Sequence, residues 1–448
     1  MSEPDLLALA ERLVAKARTG EQVEAYCARS RTTTVRAYGG EVESLTEATS
    51  AGMGIRVVQD GRQGFAYAGT LDAGELDETL ADARDNAAFG AFDEANGLAE
   101  PDGVEAAELD LYRAGLAEVA PTTKVDLALA LEKAVQAGDA RIRSVPNAIY
   151  ADGLGEAALV STTGLRAWDR STSCYLSVEA LAGEGDDVQT GYGVAVGREL
   201  ADLDPEAVAA EAVERATRLL GARQPSSRRL TVVLEPSVTA AFLGIIASTL
   251  NGEAALKGRS LFADRVGQVV GAGGLTLVDD ATDPRSPGAT RYDGEGLACR
   301  PTVLIEGGRL QGFLHDTWSA RKSGVSSTAS AVRGYSSTPS VGAHALAVQP
   351  GAVSPEAVLA QVGDGFLVQS VAGLHSGVNA VSGDFSVGAA GLMIRDGAPA
   401  EPVREATIAS TLQRMLLDVV AVGDDLDWRP GGTGAVTLAI ADVSLSGS

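Results

Sequence analysis

The sequence predicts an α+β protein with two domains. Strand-like segments separated by glycine-containing turns follow one another along much of the chain, and the helical patterns stand apart from them instead of alternating one for one. The length of 448 residues also exceeds what one hydrophobic core usually serves. We expect an N-terminal domain of antiparallel sheet and helices in two layers over residues 1–222, and a strand-rich C-terminal domain with a few helices over residues 230–448.

The N-terminal domain is predicted to contain two rounds of helix, strands and helix. Leu6, Leu9 and Leu13 recur at helical spacing, and Gly39-Gly40 and Asp60-Gly61 are turn signals between strands. The first round has strands at 23–29, 33–38, 42–47, 54–59 and 64–68, then a helix at 74–89 and a connector at 90–105. The second has helices at 124–137 and 205–220, which flank strands at 141–151, 157–162, 166–179 and 190–197.

The C-terminal domain is predicted to begin after a linker at residues 221–229. A strand at 230–234 leads into an apolar helix at 237–250, and Pro236 suits the first turn of that helix. The other predicted strands are at 276–279, 302–305, 309–313, 345–348 and 366–370, with a hairpin turning at Asp396-Gly397 and helices at 354–361 and 408–420.

The charge balance argues against nucleic acid and anionic membranes as partners. The chain has 36 Lys and Arg residues against 60 Asp and Glu residues, a net charge of −24. The mean field of such a protein repels phosphate groups. We interpret the basic pairs Arg228-Arg229 and Arg321-Lys322 as solvated surface charges.

The cysteine content and the apolar segments predict a soluble cytoplasmic protein. Cys27, Cys174 and Cys299 are far apart and odd in number, which is typical of reduced thiols. The longest apolar stretch, at residues 239–250, is shorter than the ~20 residues of a membrane-spanning helix. The N-terminus begins acidic and amphipathic, unlike a signal peptide.

The motifs that suggest chemistry also have simpler interpretations. Gly271-Ala-Gly-Gly274 precedes a predicted strand, whereas a phosphate loop needs a helix there, so we predict a turn. No Gly-x-Ser-x-Gly motif is present. His315 and Asp316 stand beside Trp318-Ser319 and are candidate catalytic residues, but Asp316 is also suited to cap a short helix at 318–322.

Metal ligands are sparse in the sequence. A zinc peptidase presents two histidines on one helix with a carboxylate beside them, and the apolar helix of the second domain has no histidine. Asp279, Asp280 and Asp283 offer oxygen ligands for a hard cation. Carboxylates next to Pro284 are more often turn formers, and we favour that interpretation.

Several sequence blocks carry a resemblance to a known family. They are Gly40-Glu-Val-Glu-Ser44 and residues 52–67 in the first domain, and residues 303–312, 319–321 and 383–386 in the second. With these blocks in this order, the chain resembles the PmbA/TldD family, the "modulator of DNA gyrase" proteins, over essentially its whole length.

The resemblance implies an absent zinc site. The TldD branch of the family holds zinc with His-Glu-x-x-x-His, on the helix after the first strand of its second domain, and with a cysteine near the C-terminus. Aligned on residues 257–262, Leu243 and Ser248 occupy the two histidine positions, and residues 423–430 contain no cysteine. We therefore expect no catalytic residue, cofactor or metal in this chain, and zinc in a TldD-type partner.

The block Leu-His-Asp-Thr-x-Ser-Ala-Arg-Lys at residues 314–322 resembles the other branch, TldE or PmbA. This implies a non-metal subunit of a cytosolic TldD–TldE metallopeptidase that acts on unfolded peptides. The isolated chain is expected to form a homodimer, and the block at 383–386 to serve packing, with Phe385 buried and with Asp384 and Ser386 bonding the turn at Gly383.

Two alternatives remain open from the sequence. One is a non-catalytic homodimeric interaction protein, such as the gyrase modulation that the family name describes. The other is an enzyme with a different site around His315, Asp316 and Arg321. Co-purification distinguishes the first alternative from the subunit hypothesis, because only the subunit hypothesis requires a histidine-bearing TldD-type partner.

Overall fold

Three six-stranded sheets and one two-stranded sheet form the β-structure of the computed structural model, which describes residues 5–447. The α+β class is confirmed. The first sheet is antiparallel, with the order β3-β2-β1-β4-β5-β6. Its strands are β1 (Gln22–Tyr38), β2 (Glu41–Gln59), β3 (Arg62–Ala68), β4 (Ile142–Ser161), β5 (Arg166–Glu184) and β6 (Asp187–Gly197).

Helices cover one face of this sheet and enclose two apolar clusters. Leu6, Leu13 and Leu80 belong to the cluster over β1 and β2, and Leu131 and Tyr150 to the cluster over β4 and β5. These side chains are nearly inaccessible to water, so the sheet and helices form the two layers that the sequence predicts. The helices are α1 (Leu6–Val14), α2 (Ala73–Phe89), α3 (Ala114–Ala117), α4 (Pro121–Gly138) and α5 (Pro205–Thr217).

The strands of the first sheet are longer than predicted. Segments 23–29 and 33–38 are one strand, as are 42–47 with 54–59 and 141–151 with 157–162. The polar run Ser30–Thr32 and the glycines Gly153 and Gly155 lie between the predicted segments and interrupt the apolar alternation. Each interrupted stretch of β1 and β4 is paired with neighbours on both sides, and this ladder of hydrogen bonds carries the strand through residues of low β-propensity.

The C-terminal part contains the other sheets and the largest apolar cluster. One sheet has the order β16-β15-β14-β7-β20-β17, and an extra pairing of β16 with β20 closes five of its strands into a ring. The strands are β7 (Arg228–Leu234), β8 (Leu277–Asp279), β9 (Thr302–Glu306), β10 (Arg309–Leu310), β11 (Ala331–Val332), β12 (Ser340–Val341), β13 (Leu346–Val348), β14 (Gly365–Ala372), β15 (Asp384–Arg395), β16 (Ala398–Thr411), β17 (Val419–Val422), β18 (Asp427–Trp428), β19 (Gly434–Ala435) and β20 (Leu438–Ser446).

Six helices accompany these strands: α6 (Pro236–Thr249), α7 (Gly252–Leu256), α8 (Thr317–Ser323), α9 (Pro355–Val362), α10 (Leu374–Gly377) and α11 (Leu412–Leu417). Pro236 stands in the first turn of α6, as predicted. Gly271–Gly274 is a turn before β8, also as predicted. Within residues 5–447, the helices are too short or too polar to cross a membrane.

The predicted helix at 408–420 is wrong. Ile408 lies in β16, where it pairs with both β15 and β20, and the helix α11 is confined to six residues before β17 begins. Ile408, Leu412, Met415 and Leu416 are spaced like a helix face and are all buried. Their spacing reflects a strand that runs directly into a short helix, and periodicity alone does not separate the two. The predicted domain boundary between residues 222 and 230 stays a prediction.

The block at 383–386 packs in the C-terminal core. Gly383 adopts a φ of 88°, which favours glycine, and Phe385 is 4% exposed and meets the Phe242 ring edge-on at 6.3 Å between centroids. The prediction that the side chains of Asp384 and Ser386 bond the backbone of this turn is wrong, because the Asp384 carboxylate bonds a side chain instead. Ser382 donates to Asp384 at 2.6 Å, whereas Ser386 lies inside β15 opposite Ala409.

Phe385→Ala is expected to lower the free energy of unfolding by about 3–5 kcal/mol, because it removes a buried ring and leaves a cavity. Denaturant unfolding of the purified variant measures this change. Phe89→Ala is the matched control, since that ring is 91% exposed and its loss is expected to change stability by less than about 0.5 kcal/mol. Equal stabilities for the two variants would show that Phe385 does not act through packing.

Candidate functional site

His315 and Asp316 stand at the start of α8 in a packed setting. His315 is 6% exposed, its Nδ1 lies 3.1 Å from the Ser319 hydroxyl, and its ring contacts Gly252, where any side chain would overlap the imidazole. Burial lowers the pKa of His315, which favours the neutral ring. Asp316 accepts a hydrogen bond from the Ser319 N–H at 2.8 Å and so caps α8, as predicted.

Arg321, the third candidate, is directed toward the N-terminal half of the chain. Its guanidinium donates to the carbonyl oxygens of Ala95 at 3.3 Å and Leu98 at 2.7 Å. Trp318 and Lys322 on the same helix both contact the Asp93 carboxylate. The helix α8 therefore binds residues 93–98, in the connector after α2, to the C-terminal part. His315 and Arg321 make packing contacts there, and Asp316 caps the helix. Their proposed catalytic use stays a prediction.

The residues at the expected zinc positions do not fit a metal. Leu243 is 1% exposed, lies in the largest apolar cluster and has no donor atom. Ser248 is exposed, and its hydroxyl donates to the Ile245 carbonyl at 2.7 Å. Neither residue supplies the imidazole that zinc binding on a helix requires. Among residues 5–447, His, Cys, Asp and Glu side chains form no group of three or more placed to hold a metal.

The three aspartates considered for a cation bond to the chain itself. Asp279 is 3% exposed and accepts from the backbone N–H groups of His344 at 3.0 Å and Ala345 at 2.6 Å. Asp280 accepts from Thr282, and Asp283 from Arg285. The contacts of Asp280 and Asp283 are those of turn-forming carboxylates, as predicted. For Asp279 this interpretation is wrong, because it ends β8 and its partners are 65 and 66 residues further along the chain.

A cavity of about 290 Å³ lies where the first sheet meets the loops of the C-terminal part. Tyr26 on β1 and short segments of β4 and β5 line it from the sheet side. The loop at 288–294, the strand β11 with Arg333, and His344 line it from the other. Ligand sites are frequent at such junctions and are mostly formed before the ligand arrives. This cavity is therefore the candidate functional site.

A buried ion network connects the two sides next to the cavity. Arg56 of β2 bonds Glu24 of β1 at 2.8 Å and Glu295 of the C-terminal part at 3.2 Å, and Arg333 bonds Glu24 at 2.5 Å. All four side chains are at most 5% exposed. Burial acts to raise the pKa of Glu24, but Arg56 and Arg333 outweigh it and lower the pKa overall. Glu295 also accepts from the Thr317 N–H at 2.8 Å, which joins the network to α8.

Asp293 lines the same cavity, and its carboxyl group has a raised pKa. Its carboxylate accepts from the backbone N–H groups of Glu295, Leu297 and Ala331. Burial, followed by the nearby charge of Glu295, raises the pKa of Asp293 to about 7. Perturbed acids in clefts are frequent at functional sites.

The raised pKa of Asp293 predicts a pH dependence of stability. Between about pH 4, where an unfolded Asp titrates, and about pH 7, the folded protein keeps a proton that the unfolded chain releases. In this window the free energy of unfolding falls as pH rises. Denaturant unfolding of the wild-type protein and of Asp293→Asn is measured from pH 4 to 8. The free energy of unfolding of the wild type minus that of the variant should decline up to about pH 7 and stay level above it. A difference that stays constant over this range would contradict the assignment.

The sequence analysis missed Glu24, Arg56, Glu295 and Arg333 as a group. A usable signal existed, because Glu24 stands between Val23 and Ala25, and Arg56 interrupts the apolar run from Met53 to Val58. A charged residue inside a buried strand needs an opposite charge. The sequence gives no indication of which acid or base meets it, since Arg56 is 32 residues from Glu24 and 239 from Glu295, and Arg333 is 309 residues from Glu24.

Comparison with known proteins identifies related families and folds. The PmbA/TldA metallopeptidase C-terminal domain matches residues 227–447, its central domain matches 115–220, and its domain 1 matches 23–87. Domain 1 and the central domain together contain the strands β1 to β6, which form one continuous sheet in this protein.

Related proteins extend over most of the chain. "Metalloprotease PmbA" of Escherichia coli O157:H7 is 29% identical over 87% of this chain and 84% of its own length. A "Metalloprotease TldD homolog" of Haemophilus influenzae is 26% identical over 89% and 87%. Among solved structures, a proposed modulator of a DNA gyrase from Thermotoga maritima has a TM-score of 0.91 at 24% identity, covering 98% of this chain and 99% of its own. TldE from Thermococcus kodakarensis has a TM-score of 0.89 at 23% identity, covering 99% of each chain.

At such identities the two solved structures bear on the fold alone. The domain matches cover residues 23–87, 115–220 and 227–447, and the Escherichia coli relative covers 87% of the chain. The sequence blocks at 40–67 and 303–386 fall within the matched segments. This chain belongs to the PmbA/TldD family.

Proposed function

We propose that this chain is a TldE-like subunit without a zinc site of its own, which completes a TldD-type metallopeptidase for unfolded peptides in the cytoplasm. The observation that carries the proposal is the pair Leu243 and Ser248 on α6, because a family described as metallopeptidases has here a helix without metal-binding side chains. Relatives named PmbA and TldD, and the fold shared with a TldE, support it.

The isolated protein is expected to hold no stoichiometric zinc, because α6 offers no imidazole at these positions. Elemental analysis of protein purified without chelators measures the zinc content per chain. One tightly bound zinc per chain that is lost when His315, His344 or His375 is replaced would contradict the proposal.

An exposed strand edge supports assembly with another chain. Residues 41–50 of β2 are all exposed, and β3 pairs only with the later part of β2, from Met53 to Gln59. Tyr38, Val42 and Leu45 expose 53%, 39% and 47% of their surface in this hairpin. A free strand edge with apolar side chains is suited to pairing with another strand. We infer that this hairpin, residues 31–50, is where the TldD-type partner docks.

Leu45→Lys is the test of this surface. The protein is mixed with the TldD-type protein encoded in the same genome, and the mass of the complex is measured by sedimentation. A one-to-one complex is expected for the wild type and a loss of at least tenfold in affinity for Leu45→Lys. The control Val266→Lys changes a 54% exposed valine of the C-terminal part and should leave assembly intact. Equal assembly of both variants would place the interface elsewhere.

The same edge favours a second candidate function, a homodimeric interaction protein. Two copies can pair through one edge by twofold symmetry, and one similar structure is described as a proposed modulator of DNA gyrase. Sedimentation separates the candidates. Homodimers that exchange into complexes with the TldD-type protein support the subunit, whereas homodimers indifferent to it support the interaction protein.

A further inference from the structure

The helix layer over the first sheet leaves a gap at the middle of the strands. Cys27 belongs to the apolar cluster at one end of β1, and Val35 belongs to the cluster at the other end. Arg29 and Arg31 lie between them on the same face of β1, because the side chains of a strand alternate between its two faces. They line a cavity of about 410 Å³, here called the arginine cavity, together with residues of β2, β4 and β5 and of the segment at 112–117.

The arginine cavity carries more positive than negative charge. Its charged lining residues are Arg29, Arg31, Arg170 and Glu156, three arginines against one glutamate and so a net charge of +2. Glu156 is fully engaged, because Arg29 Nε donates to its Oε2 at 2.8 Å and Trp168 Nε1 donates to its Oε1 at 2.8 Å. Within residues 5–447, Arg31 and Arg170 form no ion pair. This lining therefore contrasts with a protein whose total charge is −24.

Arg170 is held in place by contacts that leave its donors accessible. Its guanidinium carbon lies 4.1 Å from the centre of the Tyr112 ring and 5.6 Å from that of the Trp168 ring. Stacking of this kind fixes the plane of a guanidinium group and uses none of its N–H groups. Arg170 is an exposed residue, and Arg31 is half-buried and donates from Nη2 to the Ala117 carbonyl at 3.0 Å. Both side chains therefore offer N–H donors to a ligand in the cavity.

The unpaired arginines favour a carboxylate ligand. A guanidinium group donates two parallel hydrogen bonds to a carboxylate, and such charge-assisted bonds are stronger than neutral ones. The negative mean field of the protein is screened over about 8 Å at physiological ionic strength, so the local charge decides the contact. Two cations match a ligand with a few carboxylates, whereas a nucleic acid has a phosphate at every residue and binds through many cations.

The spacing of the two arginines suits an extended peptide. Strand β4 lies between them, and they are two residues out of register, since Arg31 pairs with Leu154 and Arg170 pairs with Glu156. With about 4.8 Å between strands and about 3.4 Å per residue, their Cα atoms are roughly 12 Å apart. An extended chain covers roughly 13 Å from residue i to residue i+4, and these two side chains lie on one face. Acidic residues at such positions can therefore reach both arginines.

We propose that the arginine cavity binds an acidic segment of an extended peptide, with carboxylate side chains held by Arg31 and Arg170. That this peptide is a substrate rests on the proposed function. Arg31 and Thr49 belong to the hairpin at residues 31–50, so the cavity adjoins the edge proposed for docking of the partner. A peptide held there lies beside the second subunit, and unfolded peptides with acidic residues are the preferred class.

Calorimetric titration of the isolated protein with acetyl-(Ala-Glu)3-amide tests the site. The uncharged analogue acetyl-(Ala-Gln)3-amide has the same length and is expected to bind at least about tenfold more weakly. Arg170→Gln is expected to weaken binding of the acidic peptide about tenfold. Arg259→Gln is the matched control, because it removes the same charge from an exposed position of the C-terminal part, and it should bind like the wild type. Thermal unfolding of each variant checks that it is folded.

Equal affinity for the two peptides would overturn the proposal. So would equal losses in Arg170→Gln and Arg259→Gln, which would assign the effect to the mean field of the protein. Displacement of the peptide by sodium phosphate at comparable concentration would show a simple anion site, and tighter binding of a thymidine decanucleotide would show a nucleic-acid site. Either result contradicts the assignment of an acidic peptide.

Assembly with the TldD-type protein is measured separately for Arg170→Gln. Unchanged assembly is expected, and its loss would assign the cavity to the interface between subunits instead of to a peptide. Because peptide binding is measured without the partner, it can succeed where the peptidase test fails. Failure of this inference is therefore distinguishable from failure of the proposed function.

Discussion

Arg56→Met is expected to lower the free energy of unfolding by about 3–5 kcal/mol, because it leaves the buried carboxylate of Glu295 without its counterion. Arg56 is 4% exposed and bonds Glu24 and Glu295, which come from different parts of the chain. Methionine fills a similar volume, so the loss reflects charge and hydrogen bonding more than packing. In this variant Glu24 still pairs with Arg333. Of the contacts described above, Glu295 retains the hydrogen bond from the Thr317 N–H.

Denaturant unfolding at pH 7 measures the loss, and Arg166→Met is the matched control. Arg166 pairs with Glu11 in an ion pair whose side chains are 60% and 46% exposed, so its removal should change stability by less than about 1 kcal/mol. The double variant Arg56→Met with Glu295→Leu should recover part of the loss, because it removes the orphaned charge as well. Equal effects of Arg56→Met and Arg166→Met would show that the buried network contributes nothing to folding.

The network also determines the shape of the candidate site. Glu295 follows Asp293 by two residues, and Arg333 follows β11, so the same ion pairs fix both loops of the cavity to β1 and β2. The same contacts therefore stabilise the fold and shape the cavity.

Much of the fold follows from local patterns in the sequence. The turns at Gly39-Gly40, Asp60-Gly61 and Asp396-Gly397 connect strands as predicted, and Pro236 and Asp316 mark helix starts. These features depend on one or two residues whose backbone preferences or hydrogen bonds act within a few positions. Such local signals are legible without knowledge of what lies across the fold.

The errors arise where distant pairing decides the local structure. The polar stretch of β1 is a strand because β2 and β4 pair with it on both sides, and Ile408 is in a strand because β15 and β20 flank it. The cavity has the same origin, since Tyr26, Asp293 and His344 converge only once the sheet and the loops have met. Spacing along one chain does not encode which distant segments will meet.

The peptidase rate of the reconstituted complex tests the subunit proposal most directly. The chain is mixed with the TldD-type protein from the same genome, and cleavage of an unfolded peptide with a fluorophore and quencher is followed. Neither protein alone is expected to cleave, and the mixture should cleave at least tenfold above either, with the activity lost when a histidine of the partner's His-Glu-x-x-x-His motif is replaced by alanine. A partner that cleaves equally fast without this chain, or cleavage by this chain alone, would contradict the proposal.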